Sequence, residues 1–243
     1  MMDYVAKSHC GMVRELNEDN FAVKKTDEFD LIIVADGMGG HQAGEVASET
    51  AVNKIAEYIT EHGNTESIPQ LLEEAMLFAN ETIYQRAKQD PNCASMGTTA
   101  VLCYIKGNDV YFANVGDSRA YLLGLSGMEQ VTEDHSLVME LLRQGEITRE
   151  EAEHHPQKNV ITRALGTERT VETDVFHCEL EPEDMILLCS DGLTGMLSDT
   201  EIAEIMWSEG SAEEHLEQLI SIANQRGGYD NITIVVGVQK KEG

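Results

Sequence analysis

Four aspartates of this 243-residue chain occupy the same kind of position. Asp36 follows the apolar run Leu31-Ile32-Ile33-Val34-Ala35 and precedes Gly37. Asp117 follows Val110 to Val115 and Gly116. Asp191 follows Met185 to Ser190 and precedes Gly192, and Asp230 stands just ahead of the run Ile232 to Val238. Short apolar runs bounded by glycine read as strands, and continuous ones as strands buried on both faces. Each aspartate is therefore delivered to a strand end, with Glu18 and Asp19 adding two acids at the turn before Phe21. A carboxylate against apolar surface costs several kcal/mol unless it is paired or holds a cation. Any one of these sites is explained as well by an ordinary Asp-Gly turn as by a ligand.

The set is more telling than its members. Two unit charges about 4 Å apart repel by about 4 kcal/mol at an effective dielectric near 20. If the strand ends meet, the acids require cations or large pKa shifts. Oxygen-only donors, with a backbone carbonyl among them, suit magnesium or manganese, and the absence of His/Cys spacing disfavours zinc. One carboxylate bridging two such cations places a bound water for in-line attack on phosphorus. Arg14, close in sequence to Glu18 and Asp19, has the forked geometry that clamps a phosphate dianion, or is simply a solvated arginine.

Positioning these side chains falls to strands and helices that the hydrophobic pattern outlines. Residues 3–10 read as an edge strand, 21–25 as a second and 29–35 as a third that ends at Asp36. Apolar residues spaced by four (Ala43, Ala47, Ala51, Ile55, Ile59) predict a helix over 42–62. A second helix is predicted over 67–89, with Ser67 and Gln70 as its capping box. Strands follow over 98–105, 109–115, 119–125 and 128–132. Short helices interrupt them over 134–166, with Thr148/Glu151 as a capping pair. Strands resume over 171–180 and 184–190. Two helices opened by Ser198/Glu201 and Ser211/Glu214 follow, then a last strand over 232–238. Mostly sequential strands with paired helices predict antiparallel sheets covered by helices.

Composition narrows the function. Acidic residues number 44 against 17 basic ones, a net charge of −27, which repels nucleic acid and anionic membrane. No apolar run has the length of a bilayer span, and the start of the chain lacks a signal-peptide pattern, so a soluble, cytoplasmic protein without membrane insertion is expected. Five widely spaced cysteines without a Cys-x-x-Cys pair predict neither a disulfide framework nor a zinc ribbon. Four prolines and no linker-like stretch predict one domain over 1–243.

The ordered motifs are Arg14-x-x-Asn17-Glu18-Asp19, Asp36-Gly37-Met38-Gly39-Gly40-His41, Gly97-Thr98-Thr99 and Gly116-Asp117-Ser118-Arg119. Thr162-Arg163-Ala164-Leu165-Gly166, Ser190-Asp191-Gly192-Leu193 and Asp230-Asn231 complete them. Together, from about residue 3 to 238, they resemble the metal-dependent protein phosphatases of the protein phosphatase 2C type, most of all the short bacterial members. The resemblance implies an α+β fold: a central antiparallel β-sandwich flanked on both sides by pairs of α-helices, four layers in the order αββα, with a flap insertion over about 143–165. It implies a serine/threonine phosphoprotein phosphatase that hydrolyses phosphoserine and phosphothreonine by in-line attack of a metal-bridging water. Such an enzyme opposes a bacterial Ser/Thr kinase, so phosphorylated proteins and a cognate kinase are the expected partners of a monomer.

By the same resemblance, Asp36 bridges two ions of magnesium or manganese. Asp191 and Asp230 hold the first ion; the Gly37 carbonyl and Glu18 serve the second. Asp19 and Asn231 support from behind, and Asp117 with Asp191 forms a weaker third metal site. Arg14 binds the substrate phosphate, and the flap over 143–165 selects substrate. Where animal members place a histidine after Asp-Gly as general acid, this chain has Met38, which cannot donate a proton. His41 and a water on the third metal are the candidates for that role. Two other readings stay open: a non-catalytic regulator on the same fold, which would be expected to lose part of the ligand set, and a phosphatase tuned to an anti-sigma antagonist, which usually carries sensor or anchor regions.

Overall fold

The computed structural model describes residues 2–40, 43–63, 65 and 67–239. Its strands are β1 (Met2–His9), β2 (Asp19–Lys25), β3 (Asp30–Met38), β4 (Gly97–Thr98), β5 (Ala100–Lys106), β6 (Asp109–Val115), β7 (Arg119–Gly124), β8 (Gly127–Gln130), β9 (Asp174–Glu179), β10 (Met185–Cys189) and β11 (Ile232–Gln239). Its α-helices are α1 (Ala43–His62), α2 (Ile68–Gln89), α3 (Leu137–Gln144), α4 (Arg149–Glu153), α5 (Asp191–Thr194), α6 (Asp199–Met206) and α7 (Ala212–Gln225). Every strand pairing is antiparallel. One sheet runs β1-β11-β10-β7-β8; the other runs β2-β3-β5-β6-β9, with β4 beside β3. The mixed architecture of two antiparallel sheets with helices is the one expected.

The continuous apolar runs are explained by what each face of a strand meets, since successive side chains point to opposite faces. In β3, Leu31, Ile33 and Ala35 pack with α1 and α2, while Ile32 and Val34 pack into a cluster shared by both sheets. Strand β5 divides in the same way, with Leu102 and Tyr104 on the helix side and Val101 and Cys103 on the inter-sheet side. In the other sheet, Leu187 of β10 and Ile234 of β11 join Ile202, Leu216 and Leu219 of α6 and α7. Ile186, Leu188 and Val235 turn to the inter-sheet cluster instead. A strand with apolar partners on both faces has no position to spare for polarity, which is why the chemistry is confined to strand ends.

Several local expectations are met and several are revised. Thr148, Ser198 and Ser211 each close a capping box with the glutamate three residues on. Ser67 does not: its side chain makes no cap hydrogen bond, and Gln70 Nε2 instead donates to Glu74 Oε1 at 2.8 Å. The strand expected over 98–105 is interrupted at Thr99, because the Thr99 hydroxyl replaces its carbonyl as acceptor for the Asp36 amide, at 3.0 Å. Strand β3 runs on through Gly37 to Met38 rather than ending before Asp36. The strand expected from residue 171 begins only at Asp174. At the end of β2, Lys24 Nζ donates to Thr60 Oγ1 at 2.6 Å and Lys25 Nζ to the Met2 carbonyl.

The inter-sheet cluster yields a stability test. Leu188 is fully buried in it, whereas Leu125 is 90% exposed. Leu188→Ala is expected to cost about 3 kcal/mol of unfolding free energy, and Leu125→Ala less than about 0.5, in urea titrations followed by circular dichroism.

Candidate active site

The strand ends do meet. Arg14, Glu18, Asp36, Gly37, Met38, Thr99, Asp117, Asp191 and Asp230 line one cleft of about 200 Å³ at a common edge of the two sheets. Each acid arrives on a different element. Asp36 lies within β3, Asp117 in the β6–β7 turn, Asp191 at the start of α5 and Asp230 just before β11. Glu18 comes from the β1–β2 loop. A larger cleft of about 560 Å³ adjoins it beside α3 and α4 and shares Asp117, Asn159 and Asp191. It includes neither Asp36 nor Asp230, so size does not mark where the carboxylates gather.

Backbone hydrogen bonds explain why Asp36 is fixed. Its amide donates to Thr99 Oγ1, while its carbonyl accepts from Thr98 Oγ1 at 2.8 Å and from the Thr99 amide at 2.9 Å. Thr99 Oγ1 also lies 2.7 Å from Ser118 Oγ, which ties this strand to the turn carrying Asp117. Gly37 is required by crowding. A Cβ there would lie 2.1 Å from the Gly44 carbonyl oxygen and 2.6 Å from that of Glu18. The start of α1 consequently presses against the loop before β2, and the amides of Gly44 and Glu45 face the Glu18 carboxylate.

Asp19 does not line the cleft but lies behind it, buried and cross-strand from Asp36. Its Oδ2 accepts from Ser190 Oγ at 2.7 Å, and Ser190 Oγ in turn accepts from the Thr233 amide at 2.9 Å. Asn231 works as a staple. Its Oδ1 accepts from the Glu18 amide at 2.8 Å, and its Nδ2 donates to the carbonyls of Cys10 and Leu16, each at 2.9 Å. Arg14 Nη2 donates to Asp230 Oδ2 at 2.7 Å. The position of His41 lies outside the described residues.

This crowding has the electrostatic signature it should have. Burial and then the charge of neighbouring aspartates push Asp36 well above the ordinary carboxylate range. Burial raises Asp19 and Asp117 to about 7, with Asp191 adding to both. Asp191 is raised by burial and by Asp230, and is drawn partly back by a hydrogen bond with Asp36. Burial also raises Glu18, against the opposing pull of the α1 amides and Arg14. Fully ionised, the cluster needs more positive charge than Arg14 provides.

The donor set fits divalent cations. Glu18 Oε1, Asp19 Oδ1 and Asp191 Oδ1 are buried without a hydrogen-bond partner, which suits them to a cation or a proton. Among the described residues, no three acids are drawn tightly enough around one point to form a coordination sphere as they stand. Asp230 is paired with Arg14 instead. The residues that sequence reasoning did not single out by role are those behind the acids: Thr99, Ser118, Thr233 and Gly44. Gly97-Thr98-Thr99 and Ser118 were visible as motif members, but nothing in the sequence tied Thr233 or Gly44 to the cleft.

Comparison with known proteins is consistent across the chain. A family model described as protein phosphatase 2C matches residues 8–233. The serine/threonine phosphatase stp of Listeria innocua is 45% identical over 230 residues, covering 93% of this chain and 91% of that protein. The structure of the serine/threonine phosphatase of S. agalactiae superposes with a TM-score of 0.91 at 36% identity, covering 99% of this chain and 100% of that one. The catalytic domain of the serine threonine protein phosphatase PstP, solved in complex with two manganese ions, superposes with a TM-score of 0.85 at 35% identity, covering 98% and 97%.

The raised carboxyls carry a pH dependence. Asp19 and Asp117 hold their protons up to about pH 7 in the folded chain but release them near 3.8 when exposed, so folding takes up protons in between. Stability of chelator-treated protein is therefore highest below pH 4 as far as these groups are concerned, and falls as pH rises toward 7. The loss accumulates through that window as the two carboxyls give up their protons. Thermal melts in EDTA should show this decline from pH 5 to 7, and added manganese should reverse it with measurable proton release.

Proposed function

The chain belongs to the protein phosphatase 2C family and is a protein-serine/threonine phosphatase, and from that premise we propose that it hydrolyses phosphoserine and phosphothreonine in proteins at the carboxylate cleft. The observation that carries the assignment of the site is the convergence of Asp36, Asp117, Asp191 and Asp230 with Glu18 beside Arg14. We propose one catalytic domain over 1–243, built as a four-layer αββα sandwich. The clusters between the sheets and between each sheet and its helices support that layering. The flap is the segment 143–165, whose base is held by hydrogen bonds from the Leu137 amide to Val160 and from the Thr162 amide to His135.

Magnesium or manganese would be held by Asp36, Asp191 and Asp230 at one position and by Asp36, Glu18 and the Gly37 carbonyl at a second, with Asp117 and Asp191 offering a weaker third. When bound, such cations supply the Lewis acidity that makes a water nucleophilic at neutral pH and stabilises charge developing on the phosphoryl oxygens. The chain's own residues do the rest. Arg14 clamps the phosphate oxygens and aligns phosphorus for in-line attack, without a phosphoenzyme. Thr98 and Thr99 fix the backbone of Asp36, and Ser190 fixes the carboxylate of Asp19 behind it. Met38 lines the cleft and has no proton to give, so departure of the serine or threonine alkoxide depends on His41 or on a water near Asp117. A cytoplasmic protein acting against a membrane-bound Ser/Thr kinase fits this reading, and among the described residues no helix is long and apolar enough to cross a membrane.

Three variants test the assignment. Asp36→Asn is expected to lower manganese-dependent phosphopeptide hydrolysis by at least about 10³-fold, and full activity in that variant would sink the mechanism. Arg14→Ala should raise KM for phosphopeptide by about tenfold or more. In calorimetric titrations with manganese, Asp117→Ala should abolish only the weakest binding event, whereas Asp36→Asn should disturb the tight ones.

A further inference from the structure

Ten large apolar side chains are exposed among the described residues, and four of them stand on the two loops that frame Arg14. Met12, Val13 and Leu16, in the β1–β2 loop, are 67%, 60% and 42% exposed, and Tyr229, beside Asp230, is 62% exposed. Single exposed apolar residues are ordinary, but four on the two loops that carry the cleft residues Arg14 and Asp230 mark a contact surface.

Both loops are held in place, so this exposure is built in. The Met12 amide donates to the Gly228 carbonyl at 2.7 Å, and Asn231 ties down Cys10 and Leu16 from below. Gly11 lies in the left-handed region at φ +82°, and a Cβ on it would stand 2.2 Å from the Asp230 carbonyl oxygen. These contacts anchor both loops with their apolar side chains exposed. Arg14 lines the cleft with Asp230, whereas Arg226, the other cation of the two loops, is paired with Glu201.

We propose that Met12, Val13, Leu16 and Tyr229 form a docking rim for the polypeptide on either side of the phosphorylated residue, selecting apolar neighbours over acidic ones. The proposal rests on the phosphatase reading above. The rim is continuous with the cleft through Arg14 and Asp230, so a phosphoresidue on Arg14 brings its flanking side chains onto it. Rigid loops add little ordering cost on binding, so burial of an apolar neighbour appears directly as affinity. A chain with a net charge of −27 repels acidic flanks, a second copy of itself and an anionic membrane alike.

The test uses phosphothreonine peptides identical except for the two residues flanking the phosphothreonine: Leu, Gly or Asp. They are assayed with p-nitrophenyl phosphate alongside, in manganese, for the wild type, Met12→Ser/Val13→Ser and Tyr229→Ser. The wild type should cleave the Leu peptide about fivefold better than the Gly peptide in kcat/KM, mostly through KM. The Asp peptide should be poorer still, by a margin that shrinks in 0.5 M salt while the Leu:Gly ratio persists. Both variants should bring the Leu:Gly ratio toward one, a ratio that is independent of the folded fraction. Equal rates on Leu and Gly peptides with wild type, or an unchanged ratio in the variants, overturns the docking rim while p-nitrophenyl phosphate hydrolysis upholds the phosphatase. Loss of hydrolysis of every substrate overturns both. Concentration-dependent dimerisation in sedimentation that the variants abolish without altering the ratio assigns the surface to a second copy and overturns the proposal.

Discussion

Like charges forced together under apolar walls are the constraint around which this molecule is arranged. Asp36, Asp117, Asp191 and Asp230 come from four separate elements, and burial raises the first three while their neighbours raise them further. No folded chain gathers such groups without something to balance them. Here the balance within the chain is partial: Arg14 takes Asp230, Ser190 takes one oxygen of Asp19, and three buried carboxylate oxygens are left over. The stability lost there must be recovered elsewhere, and the three apolar clusters are where it is recovered.

Those clusters also explain why the acids sit at or close to strand ends. Strands β3, β5, β10 and β11 have apolar partners on both faces, so a charge in mid-strand would face either the other sheet or a helix pair. At the common edge the strands run out of cover on one side only, and a side chain there is dry behind and wet in front. That half-solvated position lets a carboxylate be rigid yet reachable, which a group on a free loop is not.

Much of this was legible in the sequence because the two signals coincide. An apolar run that ends at an Asp beside a Gly announces both a buried strand and a polar terminus, so Asp36, Asp117 and Asp191 could be placed near strand ends from the sequence. Boundaries were less legible where a side chain stands in for backbone. The Thr99 hydroxyl accepting from the Asp36 amide breaks a strand that the residue pattern reads as continuous. Ser67 and Gln70 have the spacing of a cap, but Pro69 opens the helix and Gln70 finds a better partner in Glu74. The supporting shell was hidden for a different reason: Thr233 meets Asp19 and Ser190 across the sheets, and Gly44 meets Gly37 and Glu18 through the start of α1. Neither relation has any trace in local periodicity. The exposed side chains of the β1–β2 loop were equally silent, since a short apolar pair such as Met12-Val13 looks no different from a buried one.

The pairing of Arg14 with Asp230 has a consequence for what happens after a bond is broken. On the proposed reading, an arginine that already has a resident anion takes up a phosphate by exchange rather than by filling an empty socket. If Arg14 receives the phosphate as proposed, Asp230 offers the guanidinium a carboxylate to return to when the phosphate leaves. A grip that is loose by construction favours rapid clearance over retention, and suits a catalyst whose product closely resembles the group it has just removed.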